Sequence, residues 1–86
     1  MSTFERLTAL LQRDFDVKPE AARRDATLES LDIDSLRMIE ILFTVEDAFG
    51  ITVAAEPSEI RARVRTLGDL AAYVDELVAA GAGSAP

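Results

Sequence analysis

Few side chains in this sequence are able to do covalent or metal chemistry. The 86 residues include no cysteine and no histidine. This excludes disulfides, thiolate nucleophiles, zinc sites built from cysteine and histidine, and serine triads with a histidine base. Carboxylates remain as candidate acids, bases or ligands for Mg²⁺ and Ca²⁺. No calcium-binding loop, glycine-rich phosphate loop or GxSxG turn supports such roles. We therefore expect neither an enzyme nor a metal site.

One hydroxyl group, that of Ser35, stands at a position of interest. It follows Ile33-Asp34 and precedes a segment with helical periodicity. Aspartate and serine are both favoured at the start of a helix. Taken alone, the pair is therefore an ordinary helix cap, and Asp34-Ser35-Leu36 is a weak signal.

The elements that must position Ser35 are four helices, predicted from hydrophobic periodicity and capping residues. Ser2 with Glu5 caps the start of the first helix, and Thr66 with Asp69 caps the start of the fourth. The second helix starts at Asp34 or Ser35 and ends at Phe49, where Gly50 is the C-terminal cap. Pro57 fits the first turn of the third helix, at about 57–64. Residues 51–55 read as an extended connector. We predict an all-α fold, a small four-helix bundle with a long loop between helices 1 and 2 and a short third helix. Residues 1–80 form a single domain, and 81–86 a flexible C-terminal tail.

The loop of residues 16–33 is long for a small domain. It is tolerable only where apolar anchors pin it to the helices. Those anchors are Val17, Leu28, Leu31 and Ile33, and a short helical turn is expected at residues 19–22.

The second helix carries two apolar faces when its residues are placed at about 100° per step. The core-facing group is Met38, Ile41, Leu42, Val45, Ala48 and Phe49. A polar stripe of Arg37, Glu40, Thr44 and Asp47 lies opposite. The second apolar group is Leu36, Ile39 and Phe43, bordered by Glu46 on one edge and by Glu40 and Asp47 on the other.

An apolar patch rimmed by carboxylates is typical of a protein-docking surface. The alternative is that the patch packs against the long loop or the third helix. Both interpretations stay open for Ile39, whereas we expect partial exposure of Leu36 and Phe43. The net charge of −7 favours partners with basic surfaces and disfavours nucleic acid and anionic membranes. With no apolar run near ~20 residues and no secretory signal, we expect a cytoplasmic protein.

The series Leu28-x-x-Leu31-x-Ile33-Asp34-Ser35-Leu36, followed by an acidic helix and Phe49-Gly50-Ile51, resembles the acyl carrier protein family and its L-G-x-D-S-L attachment motif. The resemblance covers about residues 4–80. It implies that a phosphopantetheinyl transferase moves 4′-phosphopantetheine from coenzyme A onto the Ser35 hydroxyl, with Asp34 and Leu36 flanking the site. The thiol of that arm would carry an acyl group as a thioester.

The resemblance also implies partners. The acidic second helix is the family's recognition element, and its partners are the transferase and acyl-loading and acyl-processing enzymes with basic docking surfaces. The matching partner-binding residues are Arg37, Ile39, Glu40, Phe43, Glu46 and Asp47. We expect a monomer that neither binds nucleic acid nor inserts into a membrane.

Three departures from the family pattern are visible. Asp32 stands where glycine is usual, and Arg37 replaces a residue that is commonly acidic. Residues 50–66 are a few residues longer than in fatty-acid carriers. They contain Arg61, Arg63 and Arg65, for which we expect a solvated face paired with nearby acids. Together these departures indicate a carrier dedicated to one pathway, since Arg37 would reject partners built for an all-acidic helix.

Two other functions compete with an acyl carrier for fatty-acid-like or polyketide synthesis. One is an aminoacyl or peptidyl carrier with the same arm, although such carriers more often have a glycine pair before the serine. The other is a helical interaction module in which Ser35 is only a cap. The acidic rim and Asp34 favour the acyl carrier over the aminoacyl or peptidyl carrier.

Overall fold

The computed structural model describes residues 2–80, which form four helices. These are α1 (Thr3–Phe15), α2 (Ser35–Phe49), α3 (Pro57–Arg63) and α4 (Leu67–Ala79), with a 3₁₀ turn at Pro19–Ala21. This part of the chain contains no strand, only an isolated bridge between Thr27 and Thr66. The predicted all-α fold with a short third helix is therefore confirmed. The tail predicted at 81–86 lies outside the described residues. None of the described helices is long and apolar enough to cross a bilayer.

Both predicted capping boxes form. At the start of α1, the Ser2 hydroxyl and the Glu5 carboxylate each accept the other residue's backbone N–H at 3.1 Å. At the start of α4, the Asp69 carboxylate accepts the N–H groups of Arg65 and Thr66. These hydrogen bonds favour the ionised form and lower the pKa of Asp69. The N-termini of these two helices are thus set by contacts between residues that are close together in the chain.

The core draws on all four helices and on the long loop. Its fully buried side chains are Leu7, Leu11, Leu28, Met38, Ile41, Val45, Ile60, Leu67, Leu70 and Val74. The predicted core face of α2 is correct except at its last turn, where Ala48 is exposed and Phe49 is half-buried. There, α1 meets α2 through Arg6. Its guanidinium donates to the Ala48 carbonyl at 3.1 Å and lies 4.2 Å from the centre of the Phe49 ring. At this turn α1 thus contacts α2 through a long side chain, and Ala48 stays exposed.

The long loop is hydrogen-bonded to the connection between α3 and α4 and to the first turn of α4. The Leu28 N–H donates to the Arg65 carbonyl at 2.9 Å, and the Leu67 N–H donates to the Ala26 carbonyl at 3.0 Å. The Gly68 N–H donates to the Arg24 carbonyl at 2.9 Å. Of the four predicted anchors, three are buried and Leu31 is half-buried. The loop is therefore an ordered part of the domain.

We predict that Leu28→Ala will lower the free energy of unfolding by about 2–5 kcal/mol, because Leu28 is fully buried and its loss leaves a cavity. The matched control is Leu36→Ala, at a side chain that is 71% exposed, for which we expect a change within about 0.5 kcal/mol. Urea denaturation monitored by circular dichroism measures both. Equal stabilities of the two variants would show that the loop is not anchored through Leu28.

Candidate functional site

Ser35 is the first residue of α2, and its side chain is exposed. The capping role belongs to Asp34, whose backbone is extended and whose carboxylate accepts the Arg37 N–H at 2.8 Å. The Asp34 carbonyl accepts the Met38 N–H, also at 2.8 Å. Because Asp34 caps the helix, the Ser35 hydroxyl is not needed for capping. Of the two residues that the sequence offered as the cap of α2, the structure identifies Asp34.

The start of α2 suits a negatively charged group attached to Ser35. The first N–H groups of a helix have no acceptor within it. Asp34 takes the N–H groups of Arg37 and Met38, so those of Ser35 and Leu36 lie free of helical acceptors beside the hydroxyl. Together with the positive end of the helix dipole, they stabilise an anion. The residues present thus fit a phosphodiester on the Ser35 oxygen.

The backbone of the segment before Ser35 explains the departure at Asp32. This residue has a left-handed conformation with φ of 58°, and its N–H donates to the Glu29 carbonyl at 3.1 Å. Glycine adopts this conformation without strain, and aspartate is among the few other residues that tolerate it. The sequence showed only an added charge at this position. The structure shows that this position has a left-handed backbone, which glycine would adopt with less strain than Asp32.

The three arginines of the long connection do not behave as expected. In the described part of the chain, the ion pairs are Arg13–Asp14, Arg23–Asp25 and Arg37–Glu40. Instead of pairing with an acid, the half-buried Arg61 donates from Nε to the Ile33 carbonyl at 3.0 Å. Arg63 lies 5.8 Å from the centre of the Tyr73 ring, and Arg65 is exposed. Among residues 2–80, the predicted pairing with acids was therefore wrong, whereas the predicted exposure is correct for Arg63 and Arg65. Arg61 differs from these two because it contacts the loop.

The second apolar face of α2 is exposed. Leu36 and Phe43 are 71% and 67% exposed, which confirms their predicted exposure. Ile39, for which both interpretations were open, is 37% exposed. It lines a shallow groove of ≈ 150 Å³ between α2 and the connector that leads to α3. The groove is lined by Ile39, Leu42, Phe43, Glu46, Val53, Ala55 and Pro57.

Phe43 differs from the other aromatic residues in its surroundings. Arginine guanidinium groups lie within 6 Å of the ring centres of Phe4, Phe15, Phe49 and Tyr73. Phe43, the remaining aromatic residue of the chain, has no such cation over its ring among residues 2–80. Its exposed face is thus free of the cation–π contacts that cover the others.

The carboxylates around the patch are not equivalent. Glu40 is exposed and lies 3.7 Å from the Arg37 guanidinium, and Asp47 is also exposed. Glu46 is half-buried, and its Oε2 accepts the Val53 N–H at 2.7 Å. It therefore ties the connector to α2 as well as bordering the patch. Sequence spacing had placed Glu46 only on the rim, because nothing local indicates which backbone the connector presents to it. The described residues hold no cluster of acidic side chains arranged to bind a metal ion.

We predict that Asp32→Gly will leave the free energy of unfolding unchanged or raise it, whereas Asp32→Val will lower it by about 1–2 kcal/mol through the left-handed backbone. Glu29→Val is the matched control, since Glu29 is exposed in the same loop and has no positive φ. Urea denaturation of the three variants provides the measurement. A valine at position 32 that is tolerated as well as one at position 29 would contradict the backbone argument.

Comparison with known proteins agrees with this geometry. The family described as "Phosphopantetheine attachment site" matches residues 5–74. The acyl carrier protein of Rhodococcus erythropolis is 47% identical over 55 residues, which cover 64% of this chain and 57% of that relative. The acyl carrier protein of Streptococcus pneumoniae serotype 4 is 32% identical over 76 residues, covering 88% of this chain and 96% of the relative. The acyl carrier protein of Streptococcus thermophilus is 30% identical over the same shares. No solved structure gives a significant match.

The family match covers most of the chain, and the streptococcal relatives are matched over nearly their full length. Membership implies a covalently attached 4′-phosphopantetheine, a transferase that installs it, and acyl-processing enzymes as partners. Proteins of this kind are carriers and have no catalytic activity of their own. The chain belongs to the phosphopantetheine-binding acyl carrier protein family.

Proposed function

We propose that Ser35 carries the 4′-phosphopantetheine arm and that the protein holds acyl intermediates during fatty-acid-like or polyketide synthesis. The observation that supports this most directly is that Ser35 is exposed and that Asp34, not Ser35, caps the helix. The Ser35 hydroxyl is therefore available as an acceptor. When bound, the arm supplies the thiol on which an acyl group is held as a thioester, in a chain that has no cysteine. The N–H groups of Ser35 and Leu36 stabilise the phosphodiester, and Asp34 keeps the start of α2 in place.

We further propose that α2 is the docking element for basic partner enzymes. The exposed side chains of Leu36, Ile39 and Phe43 give the apolar contact. Glu40 and Asp47 steer basic residues of the partner. Glu46 contributes through the carboxylate oxygen that does not accept the Val53 N–H.

Arg37 gives this surface its selectivity. Its guanidinium is 3.7 Å from the Glu40 carboxylate, and both side chains are about half exposed. An ion pair this exposed is worth little, so it is easily broken when a partner docks. A basic partner then meets an added positive charge next to Ser35, which disfavours enzymes that require an all-acidic helix. This charge supports a carrier dedicated to one pathway. We propose in addition that the protein is cytoplasmic and monomeric, with residues 1–80 as its single domain.

We predict that the wild-type protein will gain the mass of one phosphopantetheine group when incubated with coenzyme A and a transferase of broad specificity. Ser35→Ala will gain none, because the acceptor oxygen is absent. Ser58→Ala, which removes an exposed hydroxyl in the first turn of α3, is the matched control and will be modified like the wild type. Intact-mass spectrometry provides the measurement. An unmodified wild type would favour a helical interaction module that carries nothing, and a modified Ser35→Ala would place the arm on another hydroxyl.

We predict that Phe43→Ala will raise the KM of the transferase for this carrier by about tenfold, since a central apolar anchor is typically worth 1 kcal/mol or more. Its stability should change by less than about 0.5 kcal/mol, because the side chain is largely exposed. Val78→Ala is the control, at a residue of α4 that is 44% exposed and far along the chain from the patch. Steady-state kinetics of arm transfer measure the KM. An unchanged KM for Phe43→Ala would remove Phe43 from the docking surface.

A further inference from the structure

We propose that Arg61 is a positioning residue for arm attachment, which it aids by holding in place the backbone segment that precedes Ser35. The inference rests on the proposed role of Ser35. Its starting point is the hydrogen bond from Arg61 Nε to the Ile33 carbonyl oxygen, which is 3.0 Å long and joins residues 28 positions apart. Through this bond, α3 contacts the segment whose end starts α2.

The hydrogen bond from Arg61 holds the Ile33 carbonyl, which accepts no backbone N–H group within the loop. The N–H groups of residues 31–33 donate within the loop, with the Ile33 N–H reaching the Leu28 carbonyl at 2.9 Å. The Ile33 carbonyl, in contrast, faces α3. Because a peptide unit is planar, holding the Ile33 carbonyl also orients the Asp34 N–H and the backbone that follows. From that orientation Asp34 caps α2 and Ser35 points outward.

Arg61 is well placed to hold this segment because its own backbone is immobilised. Ile60, one residue before Arg61, is 1% exposed, and Val64, three residues after it, is 4% exposed. Both side chains lie in the core. The guanidinium is charged and half-buried, so its hydrogen bond is stronger than one between neutral groups. Such a bond is useful here because Asp32, immediately before Ile33, has the left-handed conformation that non-glycine residues resist.

The charges around Arg61 explain why it can remain without an ion-pair partner. It lines a surface cavity of ≈ 310 Å³ together with Glu29, Asp32, Ile33 and Asp34. Three of these residues are acidic, and the Arg61 guanidinium has none of their carboxylates within ion-pairing distance. Their combined field still favours a cation in the cavity. Arg61 therefore offsets the charge that Asp32 adds beside the attachment site.

This arrangement makes a specific kinetic prediction. The transferase docks on the exposed face of α2, which Arg61 does not contribute to, so its affinity for the carrier should not depend on Arg61. Placement of the hydroxyl should depend on it, and small misplacements of a reacting group lower the rate of the bound complex. Removing Arg61 should then lower kcat by roughly tenfold and change KM by less than about twofold.

The test compares Arg61→Ala and Arg61→Lys with the wild type. Arg63→Ala is the control, since Arg63 is an exposed arginine on the same helix that lies over Tyr73. Initial rates of arm transfer are measured by intact mass at several carrier concentrations. Hydrogen exchange of the Arg37 amide, which donates to Asp34, reports the cap independently of activity. We expect Arg61→Ala to lose kcat and to exchange the Arg37 amide faster. Arg61→Lys should recover most of both, and Arg63→Ala should match the wild type.

Two results would overturn the inference while leaving Ser35 as the attachment residue. An Arg61→Ala variant with the kcat and Arg37 exchange of the wild type would show that the bond positions nothing. A raised KM with unchanged kcat would make Arg61 a direct contact of the transferase. A wild type that accepts no arm is a different outcome, because it would overturn the proposed function itself and this inference with it.

Discussion

Backbone hydrogen bonds between the long loop and the start of α4, with the residues just before it, help determine where Ser35 lies. Residues 24–28 run beside residues 65–68, joined by N–H to carbonyl bonds of 2.9 to 3.0 Å. Buried backbone groups need such partners, and a loop that satisfied them only with water would not hold one position. Leu28 sits fully buried within this pairing, and the turn that follows it leads directly to Asp34. The placement of Ser35 therefore depends on a contact made far from it along the chain.

The second helix has two apolar faces that differ in burial. Met38, Ile41 and Val45 are buried and fix the helix on the bundle. Leu36 and Phe43 remain exposed on the other side, in a small domain that has little apolar surface to spare. Exposed apolar side chains give the domain nothing in isolation, so their retention is consistent with a surface that is covered when a partner docks.

Two arginine side chains join elements of the structure by donating to backbone carbonyls of other elements. Arg6 joins α1 to the end of α2 by donating a hydrogen bond to the Ala48 carbonyl. Arg61 joins α3 to the segment before Ser35. A long side chain with several donors can satisfy a distant carbonyl while its stem covers apolar surface. Asp47 on α2, in contrast, is exposed and forms no ion pair among residues 2–80.

What could be predicted from the sequence was governed by contacts between residues near one another in the chain. The capping boxes at Ser2 and Thr66 and the end of α2 at Gly50 each depend on groups within one helical turn. The exposure of Leu36 and Phe43 follows from the same periodicity, because a single helix buries only one stripe. The family pattern around Ser35 is likewise continuous in sequence.

What the sequence could not decide depends on residues that packing alone brings together. Ala48 appeared to belong to the core stripe, but it is exposed, and α1 meets this turn of α2 through the Arg6 side chain. Asp32 looked like an added charge until the turn placed it at φ of 58°. Glu46 and Arg61 were assigned to solvent-facing roles, yet each binds a backbone group of another element. Local periodicity determines which side of a helix a residue occupies. Only the tertiary structure determines which backbone lies opposite it, because that depends on how the helices and the long loop pack.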